Sequence, residues 1–249
     1  MEKRKIDLFF TPAAVTNERL KGYTAIVIDV LRAATSIATA LDNGAKDVIP
    51  ADASFNVVDI AGELHRDDLL LCGERDSRMV EGFHLGNSPS EFTREKVRGK
   101  TLVFGSTNGT PAVIRSSVAK HVFLCGFINL NAVIDAVLNT DDPFPLAIVC
   151  AGKQDAFALE DAFCAGLILE RITKRLPYEF QLNDGASTAL LLTPEYDRDV
   201  LAVLRHSEHG QYLIKIGFED DLLICARDSV INVVPSLSEG KLTKADSGS

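Results

Sequence analysis

The segment CGERDSR, residues 72–78, places five residues between Cys72 and Arg78. Cysteine-dependent phosphatases use this spacing to hold a phosphate against a thiolate nucleophile. Glu74 and Asp76 lie inside the segment, however, and would repel a phosphate unless a cation intervenes. We therefore predict that Glu74 binds a metal ion and that Arg75 binds an anion, and we keep Cys72 as a nucleophile as the alternative.

A second acidic residue, Asp29, lies near the end of the apolar segment AIVIDV and is followed by Arg32 and Thr35. A carboxylate at a strand end, beside a helix N-terminus and an arginine, can hold a metal ion or attack a phosphorus atom. In the alternative interpretation, Asp29 caps the helix and pairs with Arg32. The pattern leaves both interpretations open.

A hydroxyl-rich turn follows the apolar segment TLVFG, residues 101–105. Hydroxyl groups, a glycine and the free amides of a helix N-terminus can bind a tetrahedral anion such as phosphate or sulfonate. An ordinary strand-to-helix turn with a polar cap is the alternative, and we favour the anion site. The predicted binding residues are Ser106, Thr107, Asn108, Gly109 and Thr110.

Adjacent carboxylates, Glu160 and Asp161, begin a predicted helix that follows the strand segment LAIVC. Acidic residues stabilise the positive end of the helix dipole, and this structural role is the simpler explanation. Near a strand end the same pair could contribute to a Mg²⁺ site. The residues alone do not decide between these roles.

Two other polar regions carry candidate residues. The segment after Arg78 is too polar for a simple connection and ends in the turn GNSP, where Asn87 and Ser88 are candidate binding residues. Further along the chain, the segment 209–235 contains His209 and several acidic residues. Because a lone histidine is more often structural, residue types assign no chemistry to this second region.

Short apolar segments alternate with helical patterns along most of the chain, which predicts an α/β fold with a largely parallel or mixed sheet. In such sheets, ligands bind at the carboxyl ends of the strands, where the polar residues above are placed. The polar, proline-containing segment 139–145 suggests two dissimilar layered domains, 1–140 and 141–238. We expect the tail 239–249 to be disordered.

Composition limits the possible partners. The chain has 249 residues and a net charge of −9, which argues against binding to nucleic acid or to an anionic membrane surface. It has no apolar run near the ~20 residues of a membrane helix, so we expect a cytoplasmic protein. The odd number of cysteines, five, and their apolar surroundings indicate reduced, mostly buried thiols.

Several motifs together resemble the 2-phosphosulfolactate phosphatase family. They occur in this order: DVLRAATSIATAL, GERDSRMVEGFHLGNSPSE, STNGT, CAGKQDAFALEDAFCAG and HGQYLIKIGFEDDLLICARD followed by VP, spanning roughly residues 6–235. Two differences from the family pattern stand out: Ser77 replaces a usual glycine, and Pro111 replaces a frequent arginine.

The resemblance implies a Mg²⁺-dependent enzyme that converts 2-phosphosulfolactate to sulfolactate and phosphate, a step toward coenzyme M. It also implies a two-domain α/β fold and a homo-oligomer. The alternatives are the cysteine mechanism and a small-anion-binding protein without catalysis.

Such a substrate carries phosphate, carboxylate and sulfonate groups, so the candidate residues take these expected roles. Asp29 and Glu74 bind Mg²⁺, and either a metal-bound water or Asp29 attacks the phosphorus. Glu160 or Asp161 protonates the leaving oxygen or completes the metal shell. The expected substrate-binding residues are Arg32, Thr35, Arg75, Asn87, Ser88 and the residues of 106–110.

Overall fold

A computed structural model of the protein describes residues 3–52 and 68–245, and within these ranges it has the predicted α/β fold. The strands are β1 (Arg4–Phe9), β2 (Thr24–Ile28), β3 (Asp47–Asp52), β4 (Leu69–Arg75), β5 (Arg78–Met79), β6 (Thr101–Ser106), β7 (His121–Cys125), β8 (Leu146–Cys150), β9 (Phe180–Leu182), β10 (Pro235–Ser238) and β11 (Lys241–Lys244). The helices are α1 (Asn17–Leu20), α2 (Ala33–Asp42), α3 (Arg94–Val97), α4 (Gly109–Ser116), α5 (Leu130–Leu138), α6 (Leu159–Arg175), α7 (Asp184–Leu192), α8 (Val200–His206), α9 (Glu208–Lys215) and α10 (Glu219–Cys225).

The strands of the described residues form one mixed sheet in the order β5-β4-β6-β3-β11-β10-β7-β2-β8-β1-β9. Strands β4, β6 and β3 form one parallel block, and β7, β2, β8, β1 and β9 form the other. The antiparallel hairpin β10–β11 joins the blocks, with Ser236 opposite Phe123 and Leu242 opposite Val48. Helix α4 packs against strands of both blocks.

The parallel blocks do not coincide with the segments 1–140 and 141–238 that we predicted as domains. Strand β8 lies between β2 and β1, and the C-terminal hairpin lies between β3 and β7. Each block therefore depends on neighbours from both sides of residue 140 for its position in the sheet.

The prediction of a disordered tail is wrong for residues 239–245. Glu239 and Gly240 both have a positive φ, 50° and 77°, and form the tight turn between β10 and β11. Leu242 is completely buried in the hydrophobic core. Strand β11 is ordered because it pairs with β3 and β10. Its polar composition gives no indication of this pairing. The remainder of the predicted tail, 246–249, lies outside the described residues.

The core occupies both faces of the sheet, as parallel strands require. Along β2, Ile26 and Ile28 join one large apolar cluster, while Ala25 and Val27 join the other. This alternation makes the strand apolar throughout and leaves polar groups to its carboxyl end. All five cysteines are free and buried, which confirms the expectation of unpaired, buried thiols.

Among the described residues, no helix is long and apolar enough to cross a membrane.

Candidate active site

A cavity of about 390 Å³, which we call the central cavity, brings together residues from six separate parts of the chain. It lies at the ends of β2, β4 and β6 and against the start of α9. Its lining consists of Asp29, Leu31, Arg32, Glu74, Asp76, Ser77, Asn87, Thr107, Asn108, Lys153, Gln154, His209 and Tyr212. The cavity lies at the carboxyl ends of strands, where the sequence predicts that a ligand binds.

Asp29 follows the last residue of β2 and is only 5% exposed. Its Oδ1 accepts a hydrogen bond from the backbone N–H of Ala33, 3.1 Å away, at the start of α2. Burial raises the pKa of this carboxyl group to about 7, and nearby Glu74 and Glu160 also raise it, whereas His209 lowers it. Asp29 is therefore a carboxylate whose charge is costly without a nearby cation.

The approach of α4 to Asp29 explains a glycine in the sequence. A Cβ atom at Gly109 would lie 2.3 Å from Oδ2 of Asp29, so a larger residue cannot occupy this position without displacing the carboxylate. Gly109 itself does not line the cavity; its role in this structure is to allow the close approach.

Glu74 lies near the end of β4, and its carboxylate is held by the surrounding backbone. Oε1 accepts a hydrogen bond from the Thr107 N–H at 2.7 Å, and Oε2 accepts one from the Ser77 N–H at 2.6 Å. Asp76 and Ser77 have φ values of 51° and 62° and form the two-residue turn between β4 and β5. Ser77 thus adopts the left-handed conformation that glycine favours. At this position the family that the sequence resembles usually has glycine.

Asn87 provides an unsatisfied oxygen in the cavity wall. The residue is 5% exposed, and its Oδ1 has no hydrogen-bond partner among the described residues. Burying a carbonyl oxygen without a hydrogen-bond partner costs free energy, unless a ligand provides that partner. Asn87 lines the same cavity as Asp29 and Glu74, but its Oδ1 is itself buried, so this oxygen would reach a bound group only after the side-chain amide turns.

His209 lines the cavity and contacts a second carboxylate. Its Nδ1 is 3.4 Å from Oε1 of Glu160, and its Nε2 is 3.4 Å from Oγ of Ser77. His209 and Glu160 are 8% and 2% exposed. The imidazole therefore stands between a buried carboxylate and the cavity.

Residue types alone assigned no chemistry to His209, and sequence reasoning did not place it at the cavity. The sequence signals only the start of the helix: Ser207 caps α9 by accepting a hydrogen bond from the Gly210 N–H, and His209 occupies the first turn. A Cβ atom at Gly210 would lie 1.7 Å from the Leu204 carbonyl oxygen, so the HG pair marks a helix start packed closely against its neighbour.

Arg32 lines the cavity but is already engaged. Its Nη1 donates to Oδ2 of Asp221 at 2.6 Å, its Nη2 donates to the Ser77 carbonyl oxygen at 2.7 Å, and its guanidinium lies 4.4 Å from the centre of the Phe218 ring. Because Arg32 pairs with Asp221, the predicted alternative is wrong for the Asp29–Arg32 pair. Its other half is confirmed, since Asp29 accepts the Ala33 N–H at the start of α2. Ser88 donates to the other oxygen of Asp221 at 2.5 Å.

The Ser106–Thr110 loop is only partly a cavity wall. Thr107 and Asn108 line the cavity. Ser106 and Thr110 instead bond to each other: the Thr110 N–H donates to the Ser106 hydroxyl, and the Ser106 N–H donates to the Thr110 hydroxyl, each at 2.9 Å. The Thr107 N–H donates to Glu74, and Asn108 Oδ1 accepts from the Gln154 N–H at 2.8 Å. The anion nest predicted for all five residues is wrong for Ser106 and Thr110, because these two satisfy each other.

Asp161 joins two loops. Its Oδ1 accepts from the Val30 N–H at 2.9 Å, and its Oδ2 accepts from the Gly152 N–H at 3.0 Å. Burial, together with Glu160 and Asp29, raises the pKa of this carboxyl group well above its usual range. Asp161 does not line the central cavity, so it positions the strand ends rather than contacting a ligand there.

Three other predicted residues lie outside the cavity wall. Thr35 is buried and donates its hydroxyl hydrogen to the Val30 carbonyl oxygen at 3.0 Å, Ser88 is buried against Asp221, and Arg75 is exposed on β4. The substrate contacts predicted for these side chains do not correspond to the lining of the cavity. Sequence placed them near the right strand ends, but strand alternation and local hydrogen bonds direct them elsewhere.

Cys72 is a core residue. It is completely buried in the apolar cluster that also contains Phe92 and Phe104, and burial raises the pKa of its thiol far above the usual range. A buried thiol without a cationic partner stays protonated and unreactive. The structure therefore contradicts the alternative in which Cys72 is a nucleophile.

The residues of the cavity fit a magnesium ion. Asp29, Glu74 and the unpaired oxygen of Asn87 supply oxygen ligands only, which is the donor set that Mg²⁺ prefers. The described residues contain no group of three acidic, histidine or cysteine side chains arranged to hold a metal ion. A site with one or two carboxylates suits Mg²⁺, because this ion usually keeps several waters and binds substrate phosphate oxygens.

Comparison with known proteins gives the family. The sequence profile described as 2-phosphosulpholactate phosphatase matches residues 9–240. A Clostridium beijerinckii protein named probable 2-phosphosulfolactate phosphatase is 36% identical over 96% of this chain and 99% of its own length. Proteins of the same name from Symbiobacterium thermophilum and Thermotoga maritima are 39% and 37% identical, over 90% and 94% of this chain and 95% and 96% of their own. The chain belongs to the 2-phosphosulfolactate phosphatase family.

Proposed function

We propose that this protein is a Mg²⁺-dependent phosphomonoesterase that hydrolyses 2-phosphosulfolactate to 3-sulfolactate and phosphate. The substrate follows from the family and from the names of its relatives. The observation in the structure that supports the chemistry most is the cavity wall itself. It combines two buried carboxylates and the unpaired oxygen of Asn87 with a histidine held by a third carboxylate.

The charge of the substrate makes a cation necessary. The phosphate would enter a cavity that contains Asp29 and Glu74 in a chain of net charge −9, and it would be repelled by both carboxylates. Asp29, Glu74 and Asn87 are the residues that would hold Mg²⁺, which supplies the missing positive charge and polarises the phosphoryl oxygens. Arg32 lines the same cavity, but Asp221 neutralises its charge.

Asp29 lies where it can act on the phosphorus in one of two ways. It can accept the proton of an attacking water, or it can attack directly and form an aspartyl phosphate. Rapid quenching during single turnover followed by borohydride reduction separates these routes. An aspartyl phosphate at Asp29 would be reduced to homoserine, whereas direct attack by water leaves Asp29 unchanged.

We assign proton donation to His209 and the orientation of this residue to Glu160. The leaving group is the secondary alkoxide of sulfolactate, which needs a proton as the P–O bond breaks. The Nε2 of His209 faces Ser77 at the cavity, while Nδ1 contacts Glu160. Glu160 would accept a hydrogen bond from Nδ1–H and so orient the imidazole, and the donated proton would come from Nε2–H of the imidazolium form. This replaces the expected direct donation by Glu160 or Asp161.

The test is phosphate release from 2-phosphosulfolactate by the purified protein, with Mg²⁺ and with excess EDTA. The proposal predicts release that requires Mg²⁺. Release that persists in EDTA would contradict metal assistance. A protein that is stabilised by the substrate but releases no phosphate would be an anion-binding member of the family without catalysis.

The cellular setting belongs to the same proposal. The product, 3-sulfolactate, would place the reaction on a route toward coenzyme M, in the cytoplasm, and the family resemblance supports a homo-oligomer. Light scattering coupled to size-exclusion chromatography measures the assembly state directly, and a monomer of 27.0 kDa would contradict the oligomer.

A further inference from the structure

The two cationic side chains that line the central cavity, Arg32 and Lys153, have counter-ions of very different exposure. Arg32 and its partner Asp221 are 2% and 4% exposed. The Lys153 side chain is 22% exposed, and its partner Glu208, 2.9 Å away, is 89% exposed. Separating a buried ion pair is costly, because it leaves an uncompensated charge in the interior. A solvent-exposed carboxylate can leave its partner at little cost, because water solvates it. Within the described lining, Lys153 is therefore the cation that can change partners.

The backbone at Lys153 is fixed, so only its side chain needs to move. The N–H and carbonyl groups of Lys153 and Ala156 exchange hydrogen bonds of 3.0 and 2.9 Å around a two-residue turn. Gln154 and Asp155 in this turn have φ values of 50° and 60°, and the Gln154 N–H donates to Asn108. The turn therefore fixes the backbone of Lys153 beside the Ser106–Thr110 loop.

The lysine ammonium group lies beside α9. Its Nζ lies 5.4 Å from the centre of the Tyr212 ring. Asp29 and Glu74 are each 5% exposed, whereas the Lys153 side chain is 22% exposed and so closer to solvent. A substrate whose phosphate meets these carboxylates and their cation would therefore direct its other groups toward Lys153.

Resting on the proposed function, we infer that Lys153 binds the sulfonate of the substrate. Without substrate, Lys153 pairs with Glu208, and the sulfonate replaces Glu208 as its partner. In 2-phosphosulfolactate the carboxylate is attached directly to the carbon that bears the phosphate. The sulfonate is one carbon further away and reaches further out. A lysine ammonium on a flexible stem is suited to a tetrahedral anion, because it needs no planar bidentate geometry.

The first test compares two substrates, 2-phosphosulfolactate and 2-phospholactate, which lacks the sulfonate. Lys153→Met is expected to raise KM for 2-phosphosulfolactate on the order of tenfold, with kcat little changed. It should leave KM for 2-phospholactate within about twofold, and Lys153→Arg should restore most of the loss. Glu208→Gln removes the competing anion and is expected to lower KM for 2-phosphosulfolactate by roughly two- to threefold.

Lys174→Met is the matched control, since Lys174 is an exposed lysine paired with Glu170 at the far end of α6. Its KM values should equal those of the wild type. An equal KM increase for both substrates in Lys153→Met would overturn the sulfonate assignment. An unchanged or higher KM in Glu208→Gln would overturn the exchange.

A binding measurement separates this inference from the proposed function. Calorimetric titration with 3-sulfolactate and with lactate does not depend on turnover. We expect wild type to bind 3-sulfolactate more tightly than lactate, and Lys153→Met to lose that preference. No preference in wild type, or an undiminished preference in Lys153→Met, would overturn the inference even if phosphate is released. Absent phosphate release with a Lys153-dependent preference would instead overturn only the catalytic proposal.

Discussion

The Ser106–Thr110 loop and the cavity wall formed by Asp29, Glu74 and Asn87 are both polar strand-end regions, but they differ in hydrogen bonding. In the loop, the hydroxyls of Ser106 and Thr110 bond to each other's backbone N–H groups. In the wall, Asn87 Oδ1 has no partner in the described structure, and burial of Asp29 raises its pKa to about 7. Polar content at a strand end therefore does not by itself identify a site, because internal hydrogen bonds can satisfy it.

The largest expected effect is that of Asp29→Asn. Loss of the carboxylate should lower kcat/KM on the order of 10³-fold or more, because it removes both the proposed metal ligand and the proposed nucleophile or base. Steady-state phosphate release measures this loss. Asp135→Asn, at an exposed carboxylate on α5, is the control and should retain wild-type activity.

The same substitution has a predicted effect on stability of opposite sign. The pKa of Asp29 is raised from its ordinary value of 3.8 to about 7, so the folded state binds the proton more tightly than the unfolded state. The resulting contribution is present below about pH 4 and is lost as the pH rises through 7. At pH 8 in EDTA, Asp29→Asn should raise Tm on the order of 5 °C, and the gain should shrink toward pH 4. A lower Tm at pH 8 would contradict this account of the carboxylate.

The next effect concerns the His209–Glu160 pair. His209→Gln should lower kcat on the order of 10²-fold through loss of the proton donor. Glu160→Gln should lower kcat less, because a glutamine oxygen can still accept from Nδ1. If Glu160 acts only through His209, the double variant should be no slower than His209→Gln alone. Additive losses in kcat would assign Glu160 an independent role.

A smaller effect is expected at Asn87. Asn87→Leu removes the unpaired oxygen while keeping a similar side-chain volume. The Mg²⁺ concentration for half-maximal activity should rise on the order of tenfold, whereas Tm in EDTA should not fall, since a buried unsatisfied group is lost. An unchanged Mg²⁺ requirement would remove Asn87 from the metal site.

Thr110→Val tests the other side of the comparison. It keeps the shape of the side chain but leaves the Ser106 N–H without its acceptor. The free energy of unfolding, measured with urea, should fall by about 1–3 kcal/mol. The values of kcat and KM should stay at those of the wild type. A raised KM would show that the loop binds substrate after all.

The smallest effect on activity is expected for Cys72→Ala. Because this thiol is buried in the core, its loss should cost about 1 kcal/mol of stability and leave phosphate release intact. Loss of turnover without loss of folding would revive the cysteine mechanism.

Sequence reasoning placed Asp29 and Glu74 in the same cavity because apolar strand segments end visibly and parallel strands bring their carboxyl ends together. It did not predict which side chains face the cavity. Thr35 and Ser88 are adjacent to the site in sequence. Their hydroxyl groups, however, donate to the Val30 carbonyl oxygen and to the Asp221 carboxylate. The Ser88–Asp221 pair joins residues far apart in the chain, and residue types encode neither pairing.

The same limit applies to the fold. The α/β alternation was visible in the apolar segments, but the insertion of β10 and β11 between two parallel blocks was not. A polar strand such as Lys241–Lys244 owes its order to its neighbours. His209 reaches the cavity through the packing of α9, which no local pattern places beside β2.

The measurement that tests the central claim most directly is a crystal structure of the protein with Mn²⁺, which replaces Mg²⁺ and scatters anomalously. The account predicts one anomalous peak in the central cavity, contacted by Asp29 and Glu74, with Asn87 Oδ1 turned toward it. The peak should be absent in Asp29→Asn. A peak outside this cavity, or a fully active enzyme with no metal in it, would contradict the assignment of the active site.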